Sequence, residues 1–299
     1  MTIEFRPPRP HEESALRALF TEAFGDERFT ELFFQRGYSP DRCFLAEEGP
    51  VLAALHWFDC DLHGRRCAYV YGIATFEHCR GQGIGSALIR AALAHLQQRY
   101  EALLLVPAEE GLFGYYERFG FSTVSTICQE TVLPGAPLPL RKLSIGEYAA
   151  LRRKLLPPNG VIQEGAALEL LEGYADFYAT QNALCAVSGG LVWELLGDKR
   201  DAPGILGALG IPEATVRSPG DGIPFAMAHE MAHRLCIARN DDADFSAFLA
   251  CTESESMEYQ YSGYFMAYRF CIAALGQDAE FLIGQIVFMI LLHRPHLCM

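Results

Sequence analysis

Three features of this 299-residue sequence predict an α/β protein. Short runs rich in apolar residues alternate with stretches of helical apolar spacing. A glycine-rich turn joins one such run to an amphipathic helix. The composition, 51% apolar and 20% charged, is that of a chain able to bury a sizeable core. No internal repeat of solenoid period is present.

In chain order, residues 3–6 read as a short strand. Residues 11–24 read as a helix with Leu16, Leu19, Phe20 and Phe24 on one face, and 26–36 as a second helix. Two strands, 43–47 and 51–61, flank a turn at Glu48-Gly49-Pro50, and His63-Gly64 makes the next turn. A strand at 66–75 leads into the glycine-rich loop and a helix at 85–98. Residues 103–106 form an apolar run of strand length, 111–119 a short helix, and 121–133 the final strands of this unit. A proline-rich link at 134–139 closes it. The second unit has helices at 145–155 and 166–178. Its strands at 183–188 and 191–196 are joined by Gly189-Gly190, and a short strand follows at 214–217. The sequence changes character again from Gly222. The expected division is therefore 1–135, 140–221 and 222–299.

The formal net charge of −13 disfavours nucleic acid and anionic membrane as partners and favours cationic ligands, amines among them. Residues 1–20 show no secretory signal, so the ten cysteines are expected as reduced thiols in a cytoplasmic chain. None forms a CxxC pair. The longest apolar run, 281–292, is broken by Gly284 and Gln285 and is too short to span a bilayer.

The sharpest local feature is Arg80-Gly81-Gln82-Gly83-Ile84-Gly85-Ser86. Glycines at 81, 83 and 85 let the backbone pass close to a ligand, and the helix that follows offers unpaired N–H groups at its positive end. Together they suit a pyrophosphate. The loop is not a P-loop, because no Lys-Ser or Lys-Thr follows, and its glycine spacing is not that of a dinucleotide fingerprint.

Arg80-x-x-Gly83-x-Gly85 resembles the [RQ]-x-x-G-x-[GA] signature of the GCN5-related N-acetyltransferases (GNAT). Ile73-Ala74-Thr75 before it is similar to that family's L-A-V segment. Downstream, Tyr115-Tyr116-Glu117-Arg118-Phe119-Gly120-Phe121 resembles its F-Y-E-x-x-G-F. The resemblance covers residues 3–133. It implies a mixed, mostly antiparallel sheet with helices on both faces, whose parallel fourth and fifth strands splay apart around acetyl-CoA. Ile73, Ala74 and Thr75 would pair with pantetheine like an added strand, and the N–H groups from Gly81 to Ser86 would hold the pyrophosphate. The chain departs from the family at Glu77-His78, often Pro-Glu, and at Glu109, often an asparagine that touches the cofactor.

The implied reaction moves acetyl from acetyl-CoA to a primary amine of a small molecule or peptide. Tyr116 takes the motif position of the acid that protonates the departing thiolate, and a phenol of pKa about 10 suits that step. Glu77 is the first candidate for the base. His78, Asp59 and His56 are alternatives, and a water relay is another. Assembly as a homo-oligomer is left open.

The middle unit lacks a phosphate loop and reads as a degenerate second GNAT-like half that packs or covers. The tail carries His229-Glu230-Met231-Ala232-His233, an HExxH motif. On a helix, His229 and His233 would share a face and could hold zinc, with Glu230 beside its water. Residues 238–245 and Tyr261-Ser262-Gly263-Tyr264 resemble an uncharacterised bacterial family of zincin-like membrane proteins, over residues 222–275. Where that family has Glu-Asp-Glu, this chain has Asn240-Asp241-Asp242, so Asp242 or Asp241 would have to be the third ligand of a weak site. Two rival functions follow: an acyl-CoA-binding module without turnover, and a zinc peptidase acting through the tail.

Overall fold

A computed structural model describes residues 2–62, 64–157 and 160–231. Their strands join into one sheet of thirteen. The first unit supplies β1 (Glu4–Arg6), β2 (Cys43–Glu47), β3 (Val51–Leu62), β4 (Arg65–Thr75), β5 (Ala102–Leu105) and β6 (Ser122–Val132). The second supplies β7 (Arg141–Leu143), β8 (Ile162–Gln163), β9 (Asp176–Ala179), β10 (Ala183–Ser188), β11 (Leu191–Gly197), β12 (Ala214–Pro219) and β13 (Ile223–Glu230). The spatial order is β1-β2-β3-β4-β5-β13-β6-β12-β11-β10-β9-β7, with β8 on β3. Only β4–β5 and β11–β12 are parallel pairs.

Helices cover both faces. On one lie α1 (Glu13–Phe24), α2 (Glu27–Arg36), α5 (Ile145–Leu155) and α6 (Ala166–Glu172), over a core that includes Phe20, Phe33, Tyr69, Tyr71, Leu104 and Trp193. On the other, α3 (Ile84–Leu96) and α4 (Phe113–Glu117) cover Trp57, Val70, Leu103, Leu105 and Met227. A separate cluster under α7 (Ala202–Leu209) holds Cys185, Val192, Leu206 and Val216. The expected mixed sheet with helices on both faces is present.

Three sequence expectations change. The helix expected over 166–178 ends at Glu172. Gly173 and Tyr174 close it through bonds to the carbonyls of Leu170 and Leu171, and Asp176–Ala179 pairs with β10 instead. The tail does not begin as a helix: Ile223–Glu230 is a strand. That strand lies between β5 and β6, with Met227 opposite Leu105 and Ile223 opposite Ile127. A boundary at 221 therefore cuts through one sheet.

Among the described residues, no helix is long and apolar enough to cross a membrane. The described cysteines are unpaired, and Cys43, Cys60, Cys67, Cys79 and Cys185 are buried.

Candidate active site

The site begins where β4 and β5 part. They pair only at Cys67, Ala68 and Tyr69, opposite Ala102, Leu103 and Leu104, yet β4 runs on to Thr75. Beyond Tyr69, its edge toward β5 has no strand partner among the described residues. A row of unpaired N–H and C=O groups is a template for an extended ligand. Within this open stretch β4 bulges: Gly72 and Ile73 together oppose the single residue Leu55. Gly72 has φ +59°, and a Cβ there would lie 2.8 Å from Phe20 Cε2, so glycine is required on both counts.

At the end of β4 the chain turns through residues 77–79 into the glycine loop and α3. Arg80 Nε donates to Thr75 O at 3.1 Å and Gln82 Nε2 to His78 O at 3.1 Å, tying the loop to its base. Gly83, with φ +80°, is the N-cap of α3 and gives no side-chain cap. Ala87 N–H bonds Gly83 O, leaving the N–H groups just before it at the open end of the helix. The contrast with other helices is clear. Asp26 caps α2 by accepting from Phe29 N–H, and Ser144 with Glu147 forms a capping box on α5. No acidic residue occupies the first turn of α3. Its positive end faces outward without an anion of its own.

Tyr116 is buried on α4. Its ring lies 5.2 Å from that of Tyr115 and 6.0 Å from that of Phe121. It packs in the cluster that holds Ile84 and Leu88 of α3 and Leu105 of β5. Burial raises its pKa, which keeps it protonated at neutral pH. Tyr115, which the sequence did not single out, points elsewhere. Its hydroxyl lies 3.3 Å from Ser86 Oγ, beside the first turn of α3. The two tyrosines are adjacent on one short helix, and packing sets the Tyr115 hydroxyl at the loop while burying Tyr116 against α3.

The candidate bases are scattered. Glu77 and His78 are exposed past the end of β4. The backbone N–H of Glu77 donates to Glu22 Oε1 at 2.6 Å, bringing the end of α1 to this corner. Glu77 is four residues beyond Ile73, about 13 Å of extended chain from the bulge. His56 is enclosed by the rings of Phe20, Phe33, Phe34 and Tyr38, with centroids 4.9 to 6.3 Å away. Burial pushes its pKa down to about 3. Asp59 accepts from Tyr100 Oη at 2.7 Å near the opposite end of β3. Glu109 is exposed and precedes α4.

The metal geometry expected of the tail is not found. His229 and Glu230 are successive strand residues and so face opposite sides of the sheet. The imidazole packs on Gly120 and Phe121, its ring 5.4 Å from the phenyl. Glu230 pairs with Arg65 at 2.5 Å. His233 and Asp242 lie outside the described residues. Among those described, no group of three His, Cys, Asp or Glu is placed to hold a metal ion.

Residues 4–124 match the family profile described as Acetyltransferase (GNAT) domain. This segment is a GNAT domain. Its similarity to solved structures extends through the second unit. A GCN5-related N-acetyltransferase from Anabaena variabilis is 15% identical, over 77% of this chain and 73% of its own, with a TM-score of 0.59. A probable N-acyltransferase from Enterococcus faecalis is also 15% identical, over 77% and 73%, with a TM-score of 0.57. A GNAT family acetyltransferase from Brucella melitensis, in complex with acetyl-CoA, is 24% identical over 40% of this chain and 83% of its own, with a TM-score of 0.35. At these identities the likeness is one of fold. Residues 213–288 match a second profile, that of a protein of unknown function (DUF3810). No curated protein matches the chain. The DUF3810 match takes in β12 and β13, so it begins inside the sheet of the GNAT domain.

Proposed function

We propose that the chain is an N-acetyltransferase that moves acetyl from acetyl-CoA to a primary amine of a small molecule or peptide. The observation that carries the reading is an open, bulged β4 edge that runs into a glycine loop and an uncapped α3, with the buried Tyr116 packed on the α3 side of the sheet. The GNAT profile and the solved acetyltransferases of the same fold support it. Backbone groups of Ile73, Ala74 and Thr75 would pair with the pantetheine amides, as one more strand does. N–H groups of Gly81, Gln82, Gly83, Ile84, Gly85 and Ser86 would face the pyrophosphate, with the Tyr115 hydroxyl beside them.

In the reaction, the neutral amine attacks the thioester carbonyl, the C–N bond forms, and the C–S bond breaks. The amine loses one proton and the thiolate gains one. Tyr116 gives its proton to sulfur. Glu77, in the turn between the end of β4 and the glycine loop, takes the amine proton directly or through water.

The test is release of CoA from acetyl-CoA across a panel of amines, with Tyr116→Phe alongside. The variant is expected to lower turnover about 10²-fold or more while acetyl-CoA binding is kept. Turnover within twofold of wild type removes Tyr116 as the acid. Failure of the wild-type chain to bind acetyl-CoA removes the function itself.

A further inference from the structure

Near the turn of the β3–β4 hairpin, away from the glycine loop, two thiols face each other. In the register of the hairpin Cys60 stands directly opposite Cys67. Directly opposite residues of an antiparallel pair point to the same face of the sheet, and both thiols lie in the core under α1, α2, α5 and α6. The Cys60 thiol reaches across the pair, with Sγ 3.5 Å from Cys67 O. Opposite antiparallel residues have Cα atoms about 4.5 or 5.5 Å apart, and both spacings fall within the roughly 4.4–6.8 Å that a disulfide spans. The other described cysteines have no such neighbour. Cys43 faces His56, Cys128 faces Ser218, and Cys185 faces Tyr178 and Leu195. Cys79 sits in the turn after β4, in the core on the other face.

The surroundings supply access and a hydrogen-bond donor. A cleft of about 450 Å³ opens beside the hairpin, lined by Phe58, Asp59, Cys60, Arg66 and Ile162 among others. Cys60 is 7% exposed and lines it, whereas Cys67 is 0% exposed and does not. On its other side Cys60 is directly opposite Gln163 of β8, so Gln163, Cys60 and Cys67 form one row across three strands. Gln163 is buried, and its Nε2 has no hydrogen-bond partner among the described residues. A buried N–H without an acceptor is costly. A thiol sulfur is a weak acceptor, and an oxygen bonded to that sulfur is a better one.

We propose that Cys60 and Cys67 form a hydroperoxide-reactive pair, in which Cys60 is oxidised first and Cys67 then closes a cross-strand disulfide. In the first step the Cys60 sulfur attacks one peroxide oxygen, the O–O bond breaks and one water leaves, giving Cys60 sulfenic acid. The Gln163 amide donates to its oxygen. In the second step the Cys67 sulfur attacks the Cys60 sulfur, the S–O bond breaks, and the hydroxyl leaves as water with the Cys67 proton. Two thiols and one hydrogen peroxide thus become one disulfide and two waters. Burial holds both thiols above the usual pKa range, so only a small thiolate fraction reacts and closure needs the oxidant in excess. Acetyl transfer plays no part in it.

The test treats the full chain with excess hydrogen peroxide, blocks the remaining thiols by alkylation and maps the tryptic peptides before and after reduction. Cleavage at Arg42, Arg65, Arg66 and Arg80 separates the pair into peptides 43–65 and 67–80. Their other cysteines, Cys43 and Cys79, lie on opposite faces of the sheet. The expected product is 43–65 joined to 67–80 with two hydrogens lost, the bond placed by fragmentation between Cys60 and Cys67. Cys67→Ala, with the sulfenic-acid trap dimedone present, should collect the trap on Cys60. Cys60→Ala should show neither the bond nor the trap on Cys67. Gln163→Leu should slow closure about fivefold, the scale of one hydrogen bond, and an unchanged rate removes the amide from the reaction. Survival of both thiols in the wild-type chain overturns the proposal, as does trap collected on Cys67 in place of Cys60. Circular dichroism checks the folding of each variant. Where an alanine variant does not fold, the wild-type peptide map decides alone.

Discussion

The chain builds the same topological unit twice. In the first, hairpin β3–β4 leads through a loop to α3 and then to β5, parallel to β4. In the second, hairpin β10–β11 leads through a loop to α7 and then to β12, parallel to β11. Each has a bulge, at Gly72–Ile73 and at Trp193. The loops differ. The first exposes glycine backbone and an uncapped helix. In the second, Asp198 accepts from Arg200 N–H, Pro203 takes an early helical position, and the linker lies on α7, with Gly135 N–H bonding Pro203 O and Leu138 N–H bonding Gly204 O. The N-cap of α7 is Asp201, whose carboxylate accepts from the Thr180 hydroxyl, proline removes an N–H, and a Cβ on Gly207 would be 2.2 Å from Gly135 O. One topology is therefore open to a phosphate and the other closed by its own chain.

The largest expected effect tests whether the first unit stands alone. A chain ending at residue 135 loses β13 and exposes the facing edges of β5 and β6. It is expected to be insoluble or unfolded. If it stays folded by circular dichroism and binds acetyl-CoA like the full chain, the two units are independent and the comparison fails.

Gly85→Glu puts a negative side chain into the open loop, where even a Cβ lies 3.1 Å from Thr75 Oγ1. Acetyl-CoA affinity by calorimetry should fall by about 10²-fold or more, the scale of a coupling lost to a like charge and a blocked backbone approach. Asp198→Asn in the corresponding loop should leave it within twofold. Equal effects would mean that both loops serve one site.

In the second unit, stability rests on a buried group instead. Glu194 on β11 is fully buried and receives Arg152 Nε at 2.8 Å and the hydroxyl of Tyr148. Glu194→Gln leaves Arg152 without its counter-charge and should cost about 3–5 kcal/mol in denaturant unfolding. The folded variant should bind acetyl-CoA normally. A loss under 1 kcal/mol would show that neutral hydrogen bonds suffice there.

The smallest effect is an acid response of the first unit. Arg6 Nη2 contacts Glu12 Oε1 at 2.5 Å, and this hydrogen bond, working against burial, lowers the Glu12 pKa from 4.5 to about 2. A depressed carboxyl contributes stability above its unfolded pKa and loses it as pH falls through the folded value. The unfolding midpoint should thus drop between about pH 4.5 and pH 2, and drop less in Glu12→Gln. Parallel pH curves for the two proteins would remove the pair as a source of acid sensitivity.

The strand–loop–helix around the glycines and the short helix carrying Tyr115 and Tyr116 were legible as local structure, because each is set by residues within a few positions of one another. Most strands of the first unit were legible from apolar runs, as were β10 and β11 from Gly189-Gly190. The helix expected to run on from Glu172 to Tyr178 failed because Asp176–Ala179 carries apolar residues at both helical and strand spacing, and pairing with β10 decides between them. The HExxH run failed for a related reason. Five residues fit a zinc helix, but His229 and Glu230 hydrogen-bond across to Leu103 and Ala102 of β5, about 125 residues earlier.

By itself, then, the sequence determined the α/β class, the glycine-rich loop and the helix that follows it, all set by local backbone and side-chain requirements. Only the tertiary structure decided that the Tyr115 hydroxyl meets Ser86, and that β13 lies between β5 and β6. Each of these depends on strand register and bulges between distant segments, where a shift of one residue turns every side chain to the other face.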